Sequence, residues 1–267
     1  MTGSTNVTGQ KGVGGSADFT ATTHLAGMWP FNNGTAVTDR TVTDTRSGVG
    51  TDLKTKSTEN VSAGFWGTPG RGTFGATNDR FGNPSFTEYE LGTVGLSFIF
   101  SFRINAAAGA TGVVMAKRDQ ATGIGQKILL VTGVLRHLFQ ESGGSTQNLI
   151  TTTNIADGTD YHVVLAVDKT GDRVIYVNGV DDFSSGTKDM TSSTLDGDAT
   201  SATYNFMLGS EGAIDTGSIN LPLYDGTHIV QLWDCHLYTA TGALPTLAPL
   251  VAYLKDNIYS PIPASLW

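Results

Sequence analysis

The chain of 267 residues holds one cysteine, Cys235, so no disulfide can form within it. Charged residues are scarce at 15%, and the acids outnumber the bases by 24 to 16, for a formal charge of −8. No run of Lys or Arg exists. That excludes the basic stripe by which proteins neutralise nucleic-acid phosphates, and the polybasic cluster that docks on anionic lipid. No apolar stretch approaches the ~18–20 residues of a membrane span. The opening, MTGSTNVTGQKGVGGSADFT, has neither a basic start nor an apolar run, so no secretory signal is expected.

The catalytic signatures are missing too. There is no Gly-x-Ser-x-Gly nucleophile elbow, no His-Glu-x-x-His zinc motif among the five His residues, and no Gly-rich phosphate loop between a strand and a helix. Retaining glycosidases need two carboxylates about 5–5.5 Å apart. On a strand that means acids at i, i+2 or i+4, because side chains alternate. Glu88-Tyr89-Glu90 lacks a third acid beyond it, and Glu211 with Asp215 does not fit the pattern either. The expectation is a protein without catalytic residues.

Glycine is abundant, 34 residues, and Ser and Thr are frequent. This mixture suits many short strands and turns rather than long helices. Residues 1–22 carry few large apolar groups and read as a flexible arm that could order against a neighbouring subunit. Residues 23–267 then read as one domain of about ten to twelve strands. The clearest strand is Leu96 to Ile104, with Leu96, Phe98, Phe100, Phe102 and Ile104 on one face and Ser97, Ile99, Ser101 and Arg103 on the other. A face of that kind belongs between two packed sheets. Period-two reading of QLWDCHLY sets Cys235 beside Ile229 and Trp233, as a core thiol. One short helix is expected near the C-terminus. Thr246 can cap it, and Leu247, Leu250, Val251, Leu254 and Ile258 recur at spacings of three and four.

Tyr161 to Val180, YHVVLAVDKTGDRVIYVNGV, reads as a hairpin. Tyr161, Val163, Leu165 and Val167 face one way, and His162, Val164, Ala166 and Asp168 the other. Lys169 to Asp172 make the turn, with Gly171 free to take a positive φ, and Asn178-Gly179 gives a second turn signal. This order of aromatic-His-hydrophobic run, Asp, small turn and Tyr-Val-Asn-Gly resembles the laminin G-like and pentraxin-like modules. These belong to the concanavalin A-like superfamily. The opening Trp-Pro-Phe at residues 29–31 and the closing DGTHIVQLWD at 225–234 are similar to that family as well. The resemblance implies an all-β jelly roll of two antiparallel sheets.

It also implies two kinds of site. Loops at the sheet rim often bind calcium in this superfamily, through hard oxygen ligands. Met115 to Gln120 and Leu208-Gly209-Ser210-Glu211 look like the pentraxin calcium loops, so Asp119, Gln120, Glu211 and Asp215 are the candidate ligands. The pentraxin Gln-Asp after the Glu is replaced by Gly212 and Ala213. Phe65, Trp66, Tyr89 and Tyr224, in loop-like contexts, are candidates for stacking on a sugar ring.

The same sandwich serves lectins, hydrolases and virion proteins, so fold alone does not assign a task. The lack of an export signal and of disulfides, with the Gly/Ser/Thr arm, points to a structural or attachment protein on a virion surface, that of a bacteriophage. It would decorate a capsid or display a glycan-recognising head. Its expected partners are neighbouring virion or self subunits through the arm, together with cell-surface glycans. A free, extracellular, calcium-dependent lectin is the alternative, and a glycoside hydrolase the third reading.

Overall fold

In a computed structural model, the described residues are 25–31, 36, 41–42, 52–55, 61–68, 70–83, 96–118, 122–141, 146–168, 170–191, 206–213 and 218–241. The arm over 1–22 and the helix expected from Thr246 onward lie outside them.

Strands, and no helix, make up the regular structure of the described residues. In chain order they are β1 (Leu25–Trp29), β2 (Thr41–Val42), β3 (Leu53–Lys54), β4 (Gly72–Phe74), β5 (Phe81–Asn83) and β6 (Leu96–Ala106). Then come β7 (Gly112–Arg118), β8 (Gly125–Val131), β9 (Val134–Gln140), β10 (Gln147–Ile150), β11 (Asp160–Val167) and β12 (Arg173–Val177). The last six are β13 (Val180–Asp181), β14 (Ser185–Gly186), β15 (Phe206–Leu208), β16 (Glu211–Ala213), β17 (Ser218–Asn220) and β18 (Val230–Thr241). Many are only two or three residues long, which is why they exceed the ten to twelve that the apolar pattern announces.

Two large antiparallel sheets form. One runs β1-β18-β6-β11-β12-β13, with β4 also on β18, and the other runs β14-β10-β9-β8-β7-β15-β5-β3-β2. β16 and β17 make a separate small ribbon. β1 and β4 share one edge of β18, pairing with Cys235–Tyr238 and Val230–Leu232 respectively. The large sheets face each other across a common core. Trp29 of β1 stacks on Phe206 of β15 at 5.2 Å between centroids, and Phe98 of β6 meets His137 of β9 edge-on at 6.2 Å. Phe98, Phe100, Phe102 and Ile104 of β6 are fully buried there with Val163, Leu165 and Val167 of β11. Each such side chain contributes ~1.5–3 kcal/mol by leaving water.

The β11–β12 pairing keeps the expected alternation. Its turn closes differently. Gly171 does not take a positive φ; the Asp168 carboxylate instead accepts from Thr170 N at 2.8 Å and Thr170 Oγ1 at 2.9 Å. An Asx turn supplies the reversal that glycine was expected to supply. Asn178 and Gly179 do both adopt left-handed φ, 50° and 79°, as the two-residue link between β12 and β13 requires.

β18 departs from simple alternation. Its pairing with β6 slips between Trp233 and His236, and Asp234 takes φ 48°. This bulge resets the phase. Val230, Leu232, Cys235 and Leu237 face the core, while Trp233 turns to the other side of the sheet and Ile229 is exposed. Cys235 is a core thiol as expected, but it does not share a face with Ile229 and Trp233.

Candidate functional site

The bulge sets the outward row of β18, and β6 and β11 continue it. On the face turned away from the core, Asn105 lies between Gln231 and Asp160, and Arg103 between Trp233 and His162. The next row has Ser101 between His236 and Val164, and the next Ile99 between Tyr238 and Ala166. The face therefore grades from polar at one end to apolar at the other.

The polar end is organised around Arg71. Asp79, itself buried, accepts from Ser62 N and Oγ at 2.7 Å and from Gly75 N and Ala76 N at 2.9 Å. These bonds tie the 61–68 loop to the turn after β4. Backbone bonds from Thr73 N to Phe65 O and from Arg71 N to Thr68 O then fix the approach of Arg71 to β18. Its guanidinium lies over the Trp233 ring, 3.8 Å from the centroid, with Arg103 at 5.4 Å. It donates to both Asp160 oxygens, at 3.0 and 2.6 Å, and to Gln231 Oε1 at 3.2 Å. Asn105 adds a bond to Asp160 Oδ1 at 2.8 Å. The hydrogen bond from Arg71, opposed by partial burial and supported by Asn105, holds the Asp160 carboxyl below its ordinary range.

This is a fork-on-carboxylate arrangement resting on an aromatic platform. Arg71 and Asp160 keep 26% and 37% of their side chains exposed. At that exposure the pair itself contributes little, at most ~1 kcal/mol, so a ligand's hydroxyl or carboxylate can exchange into it at small cost.

Deeper on the same face, Ser101 Oγ and His162 Nε2 lie 2.8 Å apart, both buried. Among the described residues, the other ring nitrogen of His162 has no hydrogen-bond partner. No carboxylate of that set orients the ring, so this is not the nucleophile–base–acid arrangement of a hydrolase. Burial first, then Arg103 and His236, push the His162 imidazole down to about 4. It is neutral at pH 7.

Of the residues expected at sites, Phe65 requires correction. Its ring is fully buried, 5.3 Å from Phe74 and 5.0 Å from Phe81, with Trp66 edge-on at 4.7 Å. It joins β4 of one sheet to β5 of the other and offers no face to a sugar. Trp66 is partly buried against that cluster and Tyr224 is half-buried. Tyr89, Asp119, Gln120 and Asp215 lie outside the described residues. Glu211 is buried on β16, beside β7, with Oε2 2.9 Å from Lys127 Nζ and 3.5 Å from Arg118 Nη1. Two cations therefore already balance its charge. No group of three or more His, Cys, Asp or Glu placed to hold a metal exists among the described residues.

Arg71, Asp160, Gln231 and Trp233 were not anticipated as a site. The alternation of LSFIFSFRIN does place Arg103 and Asn105 on the outward face. The bulge at Asp234 and the long-range approach of Arg71 leave no comparable periodic mark.

No protein-family model matches the chain, and no curated protein does. Solved structures do. The binding domain of Paraclostridial Mosquitocidal Protein 1 aligns over 88% of this chain and 52% of its own, at TM-score 0.58 and 15% identity. The binding domain of botulinum neurotoxin DC, solved in complex with rat synaptotagmin II, aligns over 86% and 52%, at 0.54 and 15%. The ligand binding domain of botulinum neurotoxin serotype D, in complex with N-acetylneuraminic acid, aligns over 92% and 55%, at 0.54 and 11%. The likeness is one of fold, and the chain spans about half the length of these domains.

Proposed function

We propose that this chain is a non-catalytic recognition module that binds glycans at the Arg71 end of the seven-stranded sheet. The observation that carries the reading is the half-exposed Arg71 fork, seated on Trp233 and shared with Asp160, Asn105 and Gln231. Sugars present vicinal hydroxyls, and acidic sugars a carboxylate. A planar donor fork beside a carboxylate and two amides matches both.

Within the observed sandwich we place the concanavalin A-like jelly roll, completed by a C-terminal helix over 246–258. The likeness of fold to toxin binding domains solved with N-acetylneuraminic acid and with rat synaptotagmin II supports recognition rather than turnover. The setting we propose is the surface of a virion, with residues 1–22 engaging a neighbouring subunit.

A glycan array carrying neutral and sialylated oligosaccharides tests the binding. Retention is expected, unaffected by EDTA and reduced at least about tenfold by Arg71→Ala, since one charge-assisted pair is worth ~1.5–3 kcal/mol. No retention, or equal retention by Arg71→Ala, overturns the reading. Cleavage of any retained oligosaccharide overturns its non-catalytic part.

A further inference from the structure

Arg173 opens β12 and, by the alternation that sends Ile175 and Val177 to the core, turns inward. It is fully buried. Its Nε donates to Thr187 O at 2.8 Å, and its Nη1 lies 3.2 Å from His137 Nδ1 and 3.5 Å from His137 O. All of these acceptors are neutral. Among the described residues, no carboxylate forms an ion pair with this guanidinium. Burial draws it down to about 10, so it is still a cation at pH 7.

Its hydrogen bonding is incomplete as well. Nη2 carries two hydrogens and has no partner among the described residues. On the far side of the imidazole, Gln126 Oε1 lies 3.0 Å from His137 Nε2, and Gln126 Nε2 is likewise without a partner among them. Gln126 and His137 are fully buried too. The run from Arg173 through His137 to Gln126 thus crosses from β12 of one sheet to β9 and β8 of the other, with donors to spare and no negative charge. Buried donors and buried charge both cost free energy unless they are partnered. Water would answer the hydrogen bonds alone. An anion answers the hydrogen bonds and the charge together.

The surroundings set the size of that anion. Phe98 meets His137 edge-on, and Met190 is fully buried at the end of the segment that carries Thr187. This segment closes the side of the sandwich. Ser184 N and Thr187 N donate to Ile150 O and Asn148 O of β10, and Lys188 O accepts from Arg173 N at 2.8 Å. An enclosed position of this kind favours an ion that sheds its water readily, chloride or bromide, over sulfate or phosphate.

We infer that Arg173 Nη2 holds a halide ion between the two sheets, beneath the 184–188 segment. The ion neutralises the guanidinium and so fastens the segment that joins β10 to β12. The site does not rest on the glycan reading, and either can fail alone.

Chloride-linked stability tests it. Urea unfolding of the full chain is followed at constant ionic strength while sodium chloride replaces sodium gluconate. By mass action the unfolding equilibrium constant is expected to fall at least about tenfold on reaching ~0.2 M chloride. Arg173→Met puts a neutral, adaptable side chain in the same place, and its unfolding constant is expected to change less than about twofold over the series. A parent chain whose unfolding ignores chloride overturns the inference. So does an equal response in Arg173→Met, which assigns the effect to surface sites. Should Arg173→Met fail to fold, crystals of the parent grown in sodium bromide decide. An anomalous bromine peak against Nη2 is expected. A water oxygen in that place, no density, or bromide at adventitious surface positions only overturns the inference.

Discussion

At the scale of single residues, burial decides what a side chain can do more than its type does. Phe65 and Arg71 are six positions apart in one Gly-rich, aromatic stretch, yet one is a core ring and the other a half-exposed fork. Glu211 shows the same logic for charge. It sits buried beside Lys127 and Arg118, and burial, opposed by the Glu211 hydrogen bond, pulls the Lys127 ammonium below its ordinary value. Removing one member of such a pair leaves the other charge uncompensated, which costs ~3–5 kcal/mol. Glu211→Gln should therefore lower stability by about that amount in urea unfolding, whereas Glu211→Gln with Lys127→Met should recover a large part of it. A single variant as stable as the parent would show that Lys127 does not depend on this carboxylate. The pairing was not legible in sequence, because positions 84 residues apart meet only through the packing of β16 on β7.

At the scale of elements, period-two patterning reads well wherever a strand stays regular. β6 and β11 turn to the core the faces that their residues announce. β18 does not, because one residue in left-handed φ shifts everything beyond it to the other face. A one-residue slip inverts a strand's two faces. That single event moves Cys235 into the core and Trp233 under Arg71, so fold and site depend on it together. Asp234→Val should accordingly destabilise the fold by ~1–3 kcal/mol, since a β-branched side chain disfavours the left-handed φ that lets Trp233 face outward while Cys235 and Leu237 face the core. Asp234→Gly, which tolerates the same φ, should shift stability by no more than about 1 kcal/mol. Chemical denaturation distinguishes the two, and an Asp234→Val variant as stable as the parent would show that the left-handed φ at this position is dispensable.

At the scale of the whole molecule, the sandwich keeps three histidines neutral. His162 and His236 on the outward face are each pushed down to about 4, chiefly by burial, and burial plus Arg173 drives His137 between the sheets well below its ordinary value. Arg173 Nη1 lies 3.2 Å from His137 Nδ1 and can only donate, so Nδ1 accepts and the ring's proton sits on Nε2, 3.0 Å from Gln126 Oε1. Each of these rings is protonated in the unfolded chain near pH 6.5 and resists protonation when folded. The unfolded state thus binds more protons between those values, and stability falls as the pH drops. The loss begins near pH 6.5 and is complete for His162 and His236 near pH 4. Holding a ring neutral until about pH 4 withdraws ~3 kcal/mol for each of these two. Above pH 6.5 none of this is felt. Below about pH 4 the loss passes to carboxylates such as Asp182, which burial alone would raise but which bonds from Thr153 and Thr152 hold low. Thermal unfolding from pH 8 to pH 4 should therefore show a flat region, then a steep decline starting near 6.5. His162→Gln combined with His236→Gln should flatten that decline relative to its own value at pH 8. A melting temperature constant down to about pH 4.5 in the parent would mean that these rings are open to water, and that the outward face lacks the cover that its burial requires.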